Sequence, residues 1–313
     1  MLSRIADSLC WMNRYMERTD GLLRTLRVGY ISAFDVNKEE PYSWEEVLSV
    51  FSHQDAAKRK ELAYKADDVL RLMMHNTLEH NSIKAIVTKA RENARGAQDH
   101  ITKEVWESIN SLYHKVNNVN LDQIIENGDQ VTMLTSLIDD SLSYYGVTDI
   151  TMPRGSGWHY MHLGRYTERC LQTLDTIDAE FSRHNYDLSS APHVAYWKNM
   201  LLYLSGYELY LKTYRTGNHG ENIIDMAFFN PQFPRSVSYS LKRLGIYLRH
   251  VLKESDHESK ELIDRKMGKL YATIAYTDLQ DIKDATLPVF INNLRGQLLD
   301  LNKLIGQTFF SYY

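Results

Sequence analysis

Cysteine is scarce: Cys10 and Cys170 are the only two in 313 residues. Two isolated cysteines in a chain of this length exclude a disulfide framework and fit a reducing compartment. Each reads as a small buried apolar residue. Proline is also scarce, at positions 41, 153, 192, 231, 234 and 288, with none between 43 and 152. Long apolar runs are missing. The most apolar stretch, from Met200 to Tyr214, is broken by Glu208 and Lys212, so it falls short of the roughly 18 apolar residues of a membrane span. Arg4 and Asp7 interrupt the N-terminal apolar residues, which excludes the apolar core of a signal peptide. No basic block or stripe occurs among 36 basic and 40 acidic residues, whose net charge is −4. Electrostatics therefore gives no reason to expect nucleic acid or a membrane surface as partner. The expected location is the cytoplasm.

What is present is helical periodicity. Ile5, Leu9, Met12, Met16, Leu23 and Leu26 keep to one face of a helix. Segments near 3–32, 43–53, 55–76, 81–95, 99–117 and 121–145 read as helices, as do 156–183, 191–215, 233–253, 258–276 and 285–309. Clean alternation of period two is rare, so the expected class is all-α. Joints rich in Gly or Pro separate several helices, among them 151–157, 189–192, 216–220 and 230–234.

The order of residues repeats. Arg-Tyr-x-Glu-Arg stands at 14–18 and again at 165–169. Trp44 and Trp197 lie 153 residues apart, and Asn76 and Asn230 lie 154 apart. Ser82-Ile83 matches Ser236-Val237, and Arg95 matches Arg249, at that same 154. Ordered anchors with so little drift point to an internal duplication. The expected architecture is an antiparallel helical bundle built from two pseudo-equivalent halves, 1–150 and 151–313, in one compact unit.

On a helical wheel Arg14, Glu17 and Arg18 fall away from the stripe of Leu9, Met12, Met16 and Leu23. Glu17 can reach Arg14 as an i, i+3 pair, which on a solvated face is worth about 0.3–0.5 kcal/mol. The second copy keeps this trio as Arg165, Glu168 and Arg169, while Asn13, Asp20 and Arg24 become Gly164, Leu171 and Asp175. Retention against that drift sets a buried or semi-buried Arg–Glu–Arg cluster beside the plain solvated face as an equal reading. Such a cluster can lock helices together at a desolvation cost. It can equally bind an anion, because guanidinium groups grip carboxylate and phosphate in a bidentate manner.

Other constellations carry less. Arg91 and Arg95 share a helix face and form a candidate second arm of an anion pocket, or an exposed charged face. Arg91 corresponds to Gly245 in the second half. Gly155, Ser156 and Gly157 precede the second Arg-Tyr-x-Glu-Arg helix; free amides at a helix start can hold an anion, but a linker and cap explain the same residues, and the phosphate-loop spacing is absent. Glu254-x-x-His257 is a single copy where a di-iron bundle needs two, so no metal is expected. His159 and His162 read as packing or surface histidines, and the row Tyr203, Tyr207, Tyr210 and Tyr214 reads as a packed aromatic face. No nucleophile signature occurs, and no cofactor is expected.

The stretches MLSRIADSLCWMNRYMERTD, NSIKAIVTKARENARGAQD, TMPRGSGWHYMHLGRYTERC and NPQFPRSV resemble the bacterial alpha-E domain family over nearly the whole chain. That family is all-helical and named for a recurring Glu-Arg pair, matched here by Glu17-Arg18 and Glu168-Arg169. Its members commonly have Ala after the pair, where this chain has Thr19 and Cys170. The resemblance implies a circularly permuted ATP-grasp protein and a transglutaminase-like protein as partners, and hence a part in peptide or amide ligation. The expected role is a non-catalytic helical accessory protein. Arg14, Arg18, Arg165 and Arg169, with Arg91 and Arg95, would bind a carboxylate-bearing ligand or an acidic partner segment. Glu17 and Glu168 would support them. Two alternatives stand beside it: an enzyme using Glu17 and Glu168 as acid and base on an anionic substrate, and a purely structural cluster.

Overall fold

The computed structural model describes residues 1–34, 41–188, 194–215 and 218–310. Every regular element among them is helical. The chain divides into two compact units, one of Met1–Arg14 with Arg154–Tyr313 and one of Tyr15–Pro153. Helix α1 (Ser3–Ala33) supplies residues to both. Its expected stripe is core: Ile5, Leu9, Met12, Met16, Leu23 and Leu26 are buried.

In the unit Tyr15–Pro153, α1 is followed by α2 (Glu45–Phe51), α3 (Ala56–Leu62), α4 (Ala66–His75), α5 (Ile83–Gly96), α6 (Lys103–Asn118), α7 (Leu121–Asn127) and α8 (Gln130–Thr151). Helix α6 packs on α5 and α8. Ser82 caps α5, its hydroxyl accepting from the Ala85 amide, and Thr102 caps α6 through the Val105 amide. Trp44 is sealed before α2, where its ring fills the space a side chain at Gly29 would need. The single helix expected over 121–145 is two. Gly128 adopts a left-handed φ of 76°, and the amides of Gly128 and Asp129 turn back to the carbonyls of Ile125 and Ile124. This glycine stop ends α7. The segment 55–76 also breaks, at Ala63–Lys65, where the Trp44 amide takes the Ala63 carbonyl and ties the joint to α2.

In the other unit, α9 (Ser156–Ser182), α10 (Val194–Tyr203), α11 (Tyr207–Thr213), α12 (His219–Ile224), α13 (Val237–Lys253), α14 (Lys260–Ala275), α15 (Leu279–Ala285) and α16 (Leu287–Ile305) follow in order. Helix α13 lies along α9 and also packs on α14, which packs on α16. Ser236 caps α13 through the Tyr239 amide. Residues 191–193 of the helix expected over 191–215 lie outside the described residues; the rest is interrupted by Ser205 at φ 55°, with the Gly206 amide returning to the Leu201 carbonyl. Tyr203 therefore lies on α10, and Tyr207 and Tyr210 lie on α11. No helix among the described residues is long and apolar enough to cross a membrane.

Candidate functional site

Gly164 sets the first part of the site. A side chain there would place its Cβ 2.0 Å from the Cys10 carbonyl oxygen, so only glycine lets α9 approach α1 this closely. One turn further along each helix, Arg14 Nε donates to Glu168 Oε2 at 3.0 Å. Both side chains are nearly sealed, at 10% and 5% exposure. The Arg14 guanidinium also covers the Trp11 ring, 4.4 Å from its centroid. Cys10 lies beside this pair; burial pushes its thiol up to about 12, against the opposing pull of Arg14. Cys170 is buried too, and its thiol is likewise raised by burial. Neither sulfur is primed for reaction.

Arg169 reaches the loop before α13. Its Nη1 donates to the Pro234 carbonyl at 3.3 Å, and the Thr173 hydroxyl bonds the Arg235 carbonyl at 2.7 Å. Arg165 lies 5.8 Å from the Tyr166 ring centroid.

In the unit Tyr15–Pro153, Glu17 is fully buried and accepts from the Tyr145 hydroxyl at 2.9 Å. Arg18 Nη1 donates to Asn81 Oδ1 at 2.9 Å, in the loop just before α5. The second arginine of each run thus holds the loop that feeds a serine-capped helix, Arg18 before Ser82 and Arg169 before Ser236.

Arg91 and Arg95 part company. Arg91 Nε donates to Asn110 Oδ1 at 2.7 Å, and its guanidinium lies 4.5 Å from the Tyr113 ring centroid, against α6. Arg95 is exposed and lies 3.7 Å from Glu92.

Sequence reasoning missed a buried carboxylate. Glu79 is 1% exposed and accepts from the His53 amide, His53 Nδ1, Gln54 Nε2 and the Asn81 amide. Burial pushes its carboxyl up, but these hydrogen bonds prevail and hold it below the ordinary carboxylate range. Through Asn81 this cluster continues to Arg18. No periodicity flags Glu79, which sits in the turn between α4 and α5.

A second missed feature was legible. Tyr239, Arg243, Tyr247 and His250 recur at helical spacing on α13, and Tyr239, Tyr247 and His250 meet His159, His162 and Tyr166 of α9. His159 stacks on His250 with centroids 4.5 Å apart, and Tyr166 stacks on Tyr247 at 5.8 Å. His162 donates from Nδ1 to the Trp158 carbonyl, and burial lowers its pKa to about 3. Near the end of the same helix, Glu254 accepts from the Ser156 hydroxyl at 2.8 Å. No group of three or more His, Cys, Asp or Glu among the described residues is placed to hold a metal ion.

No curated protein and no solved structure matches the chain. Residues 1–310 do match the model of the Alpha-E family, described as a predicted alpha-helical domain with a conserved ER motif, and the chain belongs to that family.

Proposed function

We propose that this chain is a non-catalytic helical partner in an ATP-dependent peptide or amide ligation system. It would work beside a circularly permuted ATP-grasp protein and a transglutaminase-like protein. Its arginines would orient a carboxylate-bearing ligand or an acidic segment of a partner. The burial of Glu17 and Glu168 carries the choice of binding over catalysis. Glu17 is sealed against Tyr145, and Glu168 is sealed against Arg14. A general acid or base must exchange protons with substrate within hydrogen-bond reach, which these carboxylates are poorly placed to do. Arg18 and Arg165 are half-buried and are the members of the two runs best suited to meet an anion.

The proposal includes an internally duplicated, antiparallel bundle. Asn76 and Asn230 support it, because each side chain accepts from the amide two residues on, Leu78 and Gln232, at 2.9 Å. The serine caps that follow match as well. Their carbonyls and those of Glu79 and Phe233 also repeat the same turn bonds, Glu79 and Phe233 amides to Asn76 and Asn230 at 3.3 Å.

Affinity capture from the native host, using the tagged full chain, tests the reading. The two partner proteins are expected with the wild type and lost with Arg18→Ala plus Arg165→Ala in a chain that still folds. Equal recovery from both would overturn it. The Arg14–Glu168 pair favours a second reading, in which the clusters serve stability alone. In that case the variant would lower the melting temperature and leave capture unchanged.

A further inference from the structure

Two helix pairs, one in each unit, share a register. Ile83, Ile86, Val87, Ala90 and Ala94 are the buried residues of α5. In α13 they are matched, 154 residues later, by Val237, Ser240, Leu241, Leu244 and Leu248. The buried residues of α6, Val105, Ile109, Leu112 and Val116, are matched in α14 by Ile263, Met267, Leu270 and Ile274, each 158 later. This register stands on burial alone and does not depend on common ancestry or on the function proposed above.

Within that register the two pairs differ at one place. On α5–α6, Arg91 lies over Tyr113, bonds Asn110 and sits 5.5 Å from the Trp106 ring centroid. Glu92 stands beside it, 3.4 Å from Arg91 and 3.7 Å from Arg95. On α13–α14 the corresponding residues are Gly245 for Arg91, Ile246 for Glu92, Arg249 for Arg95, Asp264 for Trp106, Gly268 for Asn110 and Tyr271 for Tyr113. The guanidinium and its carboxylate neighbour are both replaced, and a groove of about 290 Å³ opens between the helices. Gly245, Gly268, Asp264, Tyr271, Arg249 and Lys242 line it. Two glycines inside helices cost about 1 kcal/mol each relative to Ala. Packing does not demand them: a Cβ at Gly245 would touch Met267 at an ordinary 3.6 Å, and one at Gly268 would meet nothing within 4 Å.

We propose that the α13–α14 groove binds a guanidinium ligand that also carries a carboxylate, either free arginine or an arginine beside an acidic residue in a peptide. The guanidinium enters between Gly245 and Gly268, in the place Arg91 takes on α5–α6. It pairs with Asp264 and lies on the Tyr271 ring, as Arg91 lies on Tyr113. The ligand carboxylate meets Arg249 and Lys242. Among the described residues neither Arg249 nor Asp264 has an ion-pair partner, and the Arg249 side chain bonds only the Gly245 carbonyl, at 3.3 Å. Charge complementarity thus selects both ends of the ligand. A simple anion would satisfy Arg249 and Lys242 but leave Asp264 facing it.

Calorimetric titration of the full chain tests this, with L-arginine, N-acetyl-Arg-Glu-amide and L-citrulline as probes. Arginine or the dipeptide is expected to give a saturable heat, and the tighter of the two identifies the source. Citrulline, the neutral isostere, is expected to give none. Asp264→Asn should weaken binding about tenfold or more, since it removes a charged hydrogen-bond partner. Gly245→Arg should fill the groove from within and abolish binding, while thermal melting shows the variant to be folded. No saturable heat from either arginine probe at millimolar concentration would overturn the proposal. So would citrulline binding as well as arginine, or a folded Gly245→Arg chain that binds like the wild type.

Discussion

Arg14 Nε donates to Glu168 Oε2 at 3.0 Å, joining the first residue of one Arg-Tyr-x-Glu-Arg run to the glutamate of the other. Both side chains are nearly sealed from water. Removing either side chain takes away the attraction that offsets the other's desolvation, which makes breaking a buried pair costly. Arg14→Ala or Glu168→Ala should each therefore cost about 3–5 kcal/mol of stability. The apolar double replacement Arg14→Met with Glu168→Leu should recover most of that loss. Urea unfolding of the four proteins measures the cycle. A single replacement costing under about 1 kcal/mol, the worth of an exposed pair, would contradict a sealed one.

His162 gives a pH signature. Burial lowers its pKa from 6.5 to about 3. The folded chain therefore holds it neutral while the unfolded chain takes up a proton below about 6.5. Its contribution is complete above 6.5 and is lost as pH falls toward 3. Between pH 7 and pH 5 it should remove up to about 1.4 kcal/mol per pH unit below 6.5. His162→Phe keeps the ring contacts with Trp158 and Tyr247 without the proton site. Melting curves at pH 7, 6 and 5 should fall less steeply for this variant. Parallel curves for both proteins would place His162 in contact with water.

Glu79 acts in a lower window. Its folded carboxyl lies below the ordinary value of 4.5, so it stabilises the fold above that value and the contribution is lost as pH falls through the folded pKa. At neutral pH, Glu79→Gln replaces a charged acceptor of several hydrogen bonds by a neutral amide. A loss of about 1.5–3 kcal/mol is expected, by chemical denaturation at pH 7. The difference between variant and wild type should shrink as both are measured at pH 4 and then pH 3.

The helical class was legible from spacing, and so was the stripe that became the core of α1. The stops were harder. Gly128 ends α7 through a positive φ, which glycine content hints at, but Ser205 does the same work with a residue that carries no such signal. The wheel placed Arg14, Glu17 and Arg18 away from the main stripe, yet it could not say what covers that side. Arg14 finds its partner 154 residues away, and Glu17 finds Tyr145 at a separation of 128. Tertiary partners at such distances leave no trace in local periodicity. Glu79 was invisible for the related reason that a turn residue has no period to break. The row Tyr239, Arg243, Tyr247 and His250 could have been read from the sequence, because its spacing is that of one helix face.

Gly164 offers the sharpest steric test of this packing. A Cβ there would stand 2.0 Å from the Cys10 carbonyl oxygen, a backbone atom that cannot swing aside. Elsewhere Gly→Ala inside a helix gains up to about 1 kcal/mol from propensity. At Gly164 the clash must win, since relieving it moves α9 off α1 and stretches the Arg14–Glu168 bond one turn away. Overpacking of this kind costs about 1–3 kcal/mol or more. Gly268→Ala is the matched control, because nothing lies within 4 Å of its Cβ position, and it should be neutral or stabilising. Thiol labelling adds a second readout. Cys10 is buried beneath the Gly164 contact, so Gly164→Ala should speed its modification by a thiol reagent at neutral pH while Gly268→Ala leaves the rate unchanged. If both alanine variants melt and label alike, α1 and α9 do not pack as closely as the Gly164–Cys10 contact requires.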